Sequence, residues 1–279
     1  MVDWKSMPAK DWLRRILLFV LVSYGAVLLL LMLLESKLVY PAPGPQWGDW
    51  SPANFDFEDV HFESADGTAL NGWFVAHPDP RRVILLCHGN GENVAAMAGE
   101  LAFVRDRFQA SVFAFDYRGY GKSAGKPYER GILADGEAAQ VWLASRAGIL
   151  PEQVVIWGRS LGGAVGVHLA ATHGAAALIL DRTFSSMVDT AARHFPWLPV
   201  KALMRNRYPS TQRIQGYTGP LFQVHGHRDQ VIPFDLGRRL FEASPSDEKR
   251  FLENAELGHN QVWPEQFYDE LNAFLNRVP

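Results

Sequence analysis

Cysteine is almost absent from the sequence: Cys87 is the only one in 279 residues. No intramolecular disulfide framework can form, and zinc or iron–sulfur sites that need several thiolates are excluded. Excess positive charge is absent too. The formal net charge is −3, which argues against a dedicated nucleic-acid binder with its basic footprint. There is no internal repeat and no low-complexity tract. Charged residues make up 20% and hydrophobic residues 48%, so a sizeable core can form and wholesale disorder is excluded.

Charge is missing most conspicuously near the N-terminus. Ile16 to Leu34 is a run of 19 residues without a charge. As a helix it would extend roughly 28 Å, close to the hydrocarbon thickness of a bilayer. A cleaved signal peptide would have a shorter apolar stretch, followed by small residues. Here Glu35-Ser36-Lys37-Leu38-Val39-Tyr40 follows, so a retained anchor over 16–34 is expected. Lys5, Lys10, Arg14 and Arg15 precede the run, whereas only Lys37 follows closely. The positive-inside bias then places residues 1–15 in the cytoplasm and the main domain on the non-cytoplasmic side. Residues 35–54, rich in proline, tryptophan and glycine, read as a stalk.

From residue 55 onward short apolar runs alternate with helical periods. Asp59–Glu63 and Ala69–Val75 flank Asp66-Gly67, a hairpin signal. Strands are expected at Val83–Cys87, Ser111–Phe115, Val154–Trp157, Ala177–Leu180 and Leu221–Val224, with a weaker one beginning at Phe251. Helical spacing runs from Val94 to Phe108, Ile132 to Ala147, Leu161 to Ala171 and Trp263 to Phe274. This alternation predicts an α/β domain over 55–279, a mostly parallel central sheet with helices on both faces. Functional groups are then expected at the carboxyl ends of the strands.

Gly158-Arg159-Ser160-Leu161-Gly162-Gly163 lies between an expected strand and an expected helix. Gly-x-Ser-x-Gly in that context is a nucleophile elbow, a strained turn that lifts the serine hydroxyl above the sheet. A serine needs a base, and the base needs an orienting acid, in the chain order Ser, acid, His. Asp229 follows the Leu221–Val224 strand, and His259 follows Asp229 in Gly258-His259-Asn260. Asp181, just after another strand, is the rival acid. Leu161 N–H, at a helix start, points where an oxyanion would form. The second donor is expected from Cys87-His88-Gly89-Asn90-Gly91, with Asn90 N–H preferred and Gly91 the alternative. His88 and Asp116 read as bracing residues for their loops.

His88-Gly89-Asn90, Asp116-Tyr117-Arg118-Gly119-Tyr120-Gly121, the elbow, His225-Gly226…Asp229 and Gly258-His259 together resemble the α/β-hydrolase superfamily. The resemblance is strongest to its single-pass, membrane-anchored α/β-hydrolase-domain proteins, a serine-aminopeptidase-like branch. It covers about residues 55–279. It implies an α/β-hydrolase fold with a small cap, a catalytic triad of Ser160, Asp229 and His259, and acyl transfer without a metal or organic cofactor.

His225-x-His227-x-Asp229 also resembles part of a binuclear metallohydrolase motif. Residue 230 is Gln where the next histidine would stand, and no second ligand cluster is evident. A catalytically silent binding protein on a hydrolase fold is the alternative from another class. Residues 182–216 read as the cap. Their six basic residues face one acid, Asp189, with Phe184, Met187, Phe195, Trp197 and Leu203 interleaved. One reading is an ordinary cap with a solvated charged face; the other is a cap that faces the bilayer and draws in anionic or acyl-chain substrates. Esters are the first expected substrate class, thioesters the second and peptides the third.

Overall fold

The computed structural model describes residues 8–278. Lys5 and the rest of 1–7, part of the expected cytoplasmic segment, lie outside the described residues.

The first element is α1 (Ala9–Val39), a 31-residue helix whose apolar length is largely exposed. A hairpin follows, β1 (Glu58–Glu63) and β2 (Ala69–Val75), turning through Gly67 at φ +78°. Then come β3 (Arg82–Cys87), α2 (Ala98–Phe108), β4 (Ala110–Phe115), α3 (Glu129–Ala147), β5 (Val155–Arg159), α4 (Leu161–His173) and β6 (Ala177–Asp181). The cap contributes α5 (Met187–His194) and two single turns, α6 (Val200–Leu203) and α7 (Ser210–Arg213). The chain closes with β7 (Leu221–Gly226), α8 (Phe234–Ala243), β8 (Lys249–Asn254) and α9 (Glu265–Leu275).

The eight strands form one sheet in the order β1-β2-β4-β3-β5-β6-β7-β8. Both pairings of β2 are antiparallel and the others are parallel. Each central strand is apolar on both faces, as a doubly covered sheet requires. Leu85, Phe113, Ile156 and Leu180 face α3, α4 and α8, and pack with Ile132, Val165 and Leu236. Ile84, Val112, Val155 and Ile179 face α2 and α9, and pack with Leu101, Phe267 and Leu271. The period of two in each strand therefore sorts side chains between two cores.

The chain runs from β3 to β4 on one side and returns across β3 to β5 on the other. Loops after β3 and β5 thus diverge at a topological switch point and leave a crevice above the sheet. The expected elbow and the expected oxyanion loop both stand there.

Two elements differ from the sequence reading. The expected helix from Val94 splits at Met97. Asn93 caps a separate turn, Val94–Ala96, by accepting from the Ala96 amide, while Asp116 takes the Val94 amide at 2.9 Å. α8 lies outside the sequence expectation, although Leu236, Gly237 and Leu240 recur at helical spacing with Asp235, Arg238, Arg239 and Glu242 on the opposite face.

The segment expected to be a stalk lies against the domain. Tyr40 is buried, its hydroxyl 2.9 Å from both Asn206 Oδ1 and the Tyr208 hydroxyl. Pro43 carbonyl accepts from the Gly121 amide (2.8 Å) and Trp47 carbonyl from Asn93 Nδ2 (3.0 Å). Trp50 meets Trp73 edge-on, with ring centroids 5.9 Å apart. Aromatic burial makes this stretch part of the folded unit rather than a loose tether.

Candidate active site

Ser160 follows β5 and caps α4, with φ +54° and ψ −116°, a strained backbone for a residue with a Cβ. The sequence permits it only through its flanking glycines. A Cβ on Gly158 would run into the Gly162 carbonyl, and one on Gly162 would run into the Cys87 carbonyl. The turn is pinned from below: Ser160 N–H donates to Asp181 O (2.9 Å), and Thr183 Oγ1 donates to Ser160 O (2.8 Å).

Ser160 Oγ lies 3.1 Å from His259 Nε2, and His259 Nδ1 lies 2.7 Å from Asp229 Oδ2. A carboxylate only accepts, so Nδ1 carries the hydrogen and Nε2 is left to accept from the serine. The other oxygen of Asp229, Oδ1, accepts from the amides of Val231 (2.9 Å) and Ile232 (2.8 Å). Burial alone would raise this carboxyl. The hydrogen bonds from His225, His259 and the Ile232 amide outweigh it and hold the group well below the ordinary carboxylate range.

The structure thus brings together three residues from the turn after β5, the loop after β7 and the loop after β8. It does not bring in Asp181. That carboxylate is taken by Arg182 (2.7 and 3.0 Å) and by Trp263 Nε1 (3.1 Å). Nor do the two histidines before Asp229 converge on one point: His225 Nε2 lies 3.4 Å from Asp229 Oδ2, and His227 points away from it. His225 is buried with Nε2 2.9 Å from Ile232 O, whereas His227 stacks on Phe234 at the surface, 3.2 Å from Glu253.

On the opposite wall, the main-chain amides of Asn90, Gly91 and Leu161 donate to no main-chain acceptor among the described residues. The Asn90 side chain is held at both ends. Its Nδ2 donates to Val39 O (2.6 Å), and its Oδ1 accepts from the Tyr120 hydroxyl (2.6 Å). His88 braces the loop from inside. Its Nδ1 is 2.8 Å from Gly89 O, its ring lies 4.3 Å from that of Tyr117, and burial lowers it to about 4, so it is neutral at pH 7. Asp116 is fully buried under the same loop, and burial pushes its carboxyl up to about 7.

Two positioning groups were not legible in the sequence. Arg182, itself at φ +47°, donates to the Gln261 (2.7 Å) and Gly258 (3.3 Å) carbonyls and so grips the loop that carries His259. Glu92 accepts from Gly89 N–H (2.9 Å) and pairs with Arg159, which lies 3.5 Å from Glu100. Only the place of Arg159 inside the elbow hints at its position; its partners come from elements far away in the chain.

Above these groups opens a cleft of about 1070 Å³. Phe184, Met187, Val231, Ile232 and Val262 form an apolar wall, and Glu92, Glu100 and Arg159 a polar one.

The sheet order, the crevice and the elbow define an α/β hydrolase, and residues 82–213 match the α/β-hydrolase fold family. The chain belongs to that family. Among its relatives, a Mycobacterium tuberculosis protein, Rv2307c, is 36% identical over 86% of this chain and 85% of its own length. Human α/β-hydrolase domain-containing protein 17B is 35% identical over 72% of this chain and 68% of its own. The Pyrococcus furiosus esterase Pf2001 has a similar structure, with a TM-score of 0.70 at 21% identity, over 85% of this chain and 99% of that one. An acetyl xylan esterase from Paenibacillus sp. R4 superposes with a TM-score of 0.68 at 15% identity, over 84% and 87%.

Proposed function

We propose that the protein is a membrane-anchored serine hydrolase that cleaves carboxylic esters with an apolar acyl group, through an acyl-enzyme on Ser160. One observation carries this reading: the unbroken relay from Ser160 Oγ to His259 (3.1 Å) and on to Asp229 (2.7 Å), beneath an open cleft.

In this mechanism His259 Nε2 takes the serine proton as Oγ attacks the ester carbonyl carbon. Asp229, held ionised by its hydrogen bonds, fixes the imidazole tautomer and stabilises the imidazolium. The Asn90 and Leu161 amides donate hydrogen bonds to the oxyanion, each worth about 3 kcal/mol. Collapse breaks the bond to the leaving alcohol, which takes the proton from His259. Water then gives a proton to Nε2 and attacks the acyl-serine, releasing the acid and restoring the serine hydroxyl. The apolar wall of Phe184, Met187, Val231 and Ile232 suits an acyl chain. Two structural neighbours are themselves esterases, which agrees with an ester as substrate.

The uncharged stretch of α1 over 16–34 serves as the anchor. Lys10, Arg14 and Arg15 sit at its cytoplasmic end, and the hydrolase domain lies on the other side.

Fluorophosphonate labelling tests the chemistry. The wild type is expected to label, and Ser160→Ala is not. Labelling retained by Ser160→Ala, or no labelling and no turnover of any ester by the wild type, overturns the reading and favours a silent binding protein. A panel of p-nitrophenyl esters, acyl-thioesters and aminoacyl arylamides then ranks esterase against thioesterase and amidase action.

A further inference from the structure

α1 meets the cap at two heights. At the lower one, Glu35 accepts from the amides of Arg205 (2.9 Å) and Asn206 (2.8 Å) and from Asn206 Nδ2 (2.8 Å). Arg205 Nη2 reaches back to Met32 O (2.6 Å). At the upper one, the Tyr24 hydroxyl donates to Trp197 O (3.0 Å). Residues 24 and 35 are separated by roughly 16 Å of helix. The cap therefore climbs beside α1 for that distance between Asn206 and Trp197.

The climbing part has the composition of a membrane-facing surface. Phe195-Pro196-Trp197-Leu198-Pro199-Val200 carries no charge, and Phe195 and Trp197 are 47% and 61% exposed. At the lower height Arg205 is exposed beside Glu35 and Arg207 Nη1 donates to the carbonyls of Lys201 and Met204, while the exposed Arg193 and Lys201 flank the tip, where their long side chains can reach toward the interface. Tyr24 lies within the uncharged run 16–34. In a bilayer about 30 Å thick, its hydroxyl would sit far from water and would need an internal acceptor. Trp197 supplies that acceptor. The exposed Phe195 and Trp197 share one tip, and a tip at hydrocarbon depth places them in their preferred medium.

We propose that the Phe195–Val200 tip of the cap is inserted into the acyl-chain region of the leaflet surrounding the C-terminal half of α1. The inference rests on α1 spanning the membrane. It has a consequence for substrate. α5 begins with Met187 and Thr190 in the cleft wall and ends at the tip. An ester that remains in the leaflet would thus meet the tip at one end of α5 and the cleft of Ser160 at the other.

The test uses the full chain in phosphatidylcholine vesicles. An environment-sensitive fluorophore is attached at Trp197→Cys, with Phe195→Cys as a second tip position, Leu21→Cys on α1 and Gln266→Cys on the exposed face of α9. Native Cys87 is buried and burial holds its thiol protonated, so it does not compete for label. Quenching by lipids spin-labelled deep in the acyl chain is compared with quenching by headgroup-labelled lipids, after thermal melts have identified variants that fold. Strong deep quenching, by about two-fold or more over the headgroup label, is expected at 21 and at 195 or 197, and none at 266. Deep quenching at 21 with tip positions behaving like 266 overturns tip insertion and leaves the anchor standing. Absence of deep quenching at 21 overturns the span, and the insertion with it.

Discussion

The carbonyl of Val39, the last residue of α1, accepts a 2.6 Å hydrogen bond from Asn90 Nδ2. The end of the long N-terminal helix thereby holds the loop whose amide is assigned to the oxyanion. Asn90→Ala keeps that amide but frees the loop from Val39 and Tyr120. A fall in kcat of about ten-fold with little change in KM is expected, since a transition-state contact is loosened while the acyl wall is untouched. Steady-state kinetics on a short soluble ester measures it; unchanged kcat would show that the side-chain bonds do not position the amide.

Ser160 stores strain at φ +54° and ψ −116°. Glycine has no Cβ to clash there, so Ser160→Gly is expected to be inactive yet more stable than Ser160→Ala, by about 1 kcal/mol. Urea denaturation of the two variants, compared at equal m-values, decides it.

Asp229→Asn keeps the shape of the site but cannot orient the imidazole as a carboxylate does. A loss in kcat of about 10⁴-fold is expected, by analogy with the corresponding change in serine proteases. Stability should respond to pH as well. The native carboxyl is depressed below its ordinary value of 3.8, so its contribution is fully present above that value and fades as pH falls below it. The stability gap between wild type and variant should therefore narrow below about pH 4. A gap independent of pH would count against a depressed Asp229.

Asp116 has the opposite sign. Its native carboxyl keeps a proton up to about pH 7, whereas the unfolded chain releases it near 3.8. The native state binds the extra proton between those values, so wild-type stability drops with rising pH across that window and levels off above it. Asn carries no such penalty and can still accept from the Val94 amide. Asp116→Asn is expected to gain on the wild type by about 1 kcal/mol or more between pH 5 and pH 8. Melts at the two pH values that show a constant difference would refute it.

Much of the architecture was readable because the sheet repeats one physical signal. Runs such as Arg82–Cys87 and Ala177–Asp181 are short, apolar and bounded by polar loops, and helical periods separate them. The elbow was readable because few other residues tolerate the turn between Gly158 and Gly162. Asp229 and His259 follow Ser160 in the expected chain order, and His259 stands between Ser160 and Asp229. The supports of the site were not readable. Arg182 acts on carbonyls at 258 and 261, and Val39 acts on a residue 51 positions away. Such bonds use main-chain atoms, which every residue has, and leave no mark in side-chain pattern. The proline and tryptophan after Tyr40 read as a stalk in the sequence; its partners Asn206 and Tyr208 come from the cap, far along the chain.

The bonds from Glu35, Val39, Tyr40, Pro43 and Trp47 to the domain leave the exit from α1 without a swivel. The catalytic head cannot rotate about its own neck, so the compass bearing of the cleft mouth is set by how the helix stands, and any tilt of that helix steers the mouth with it.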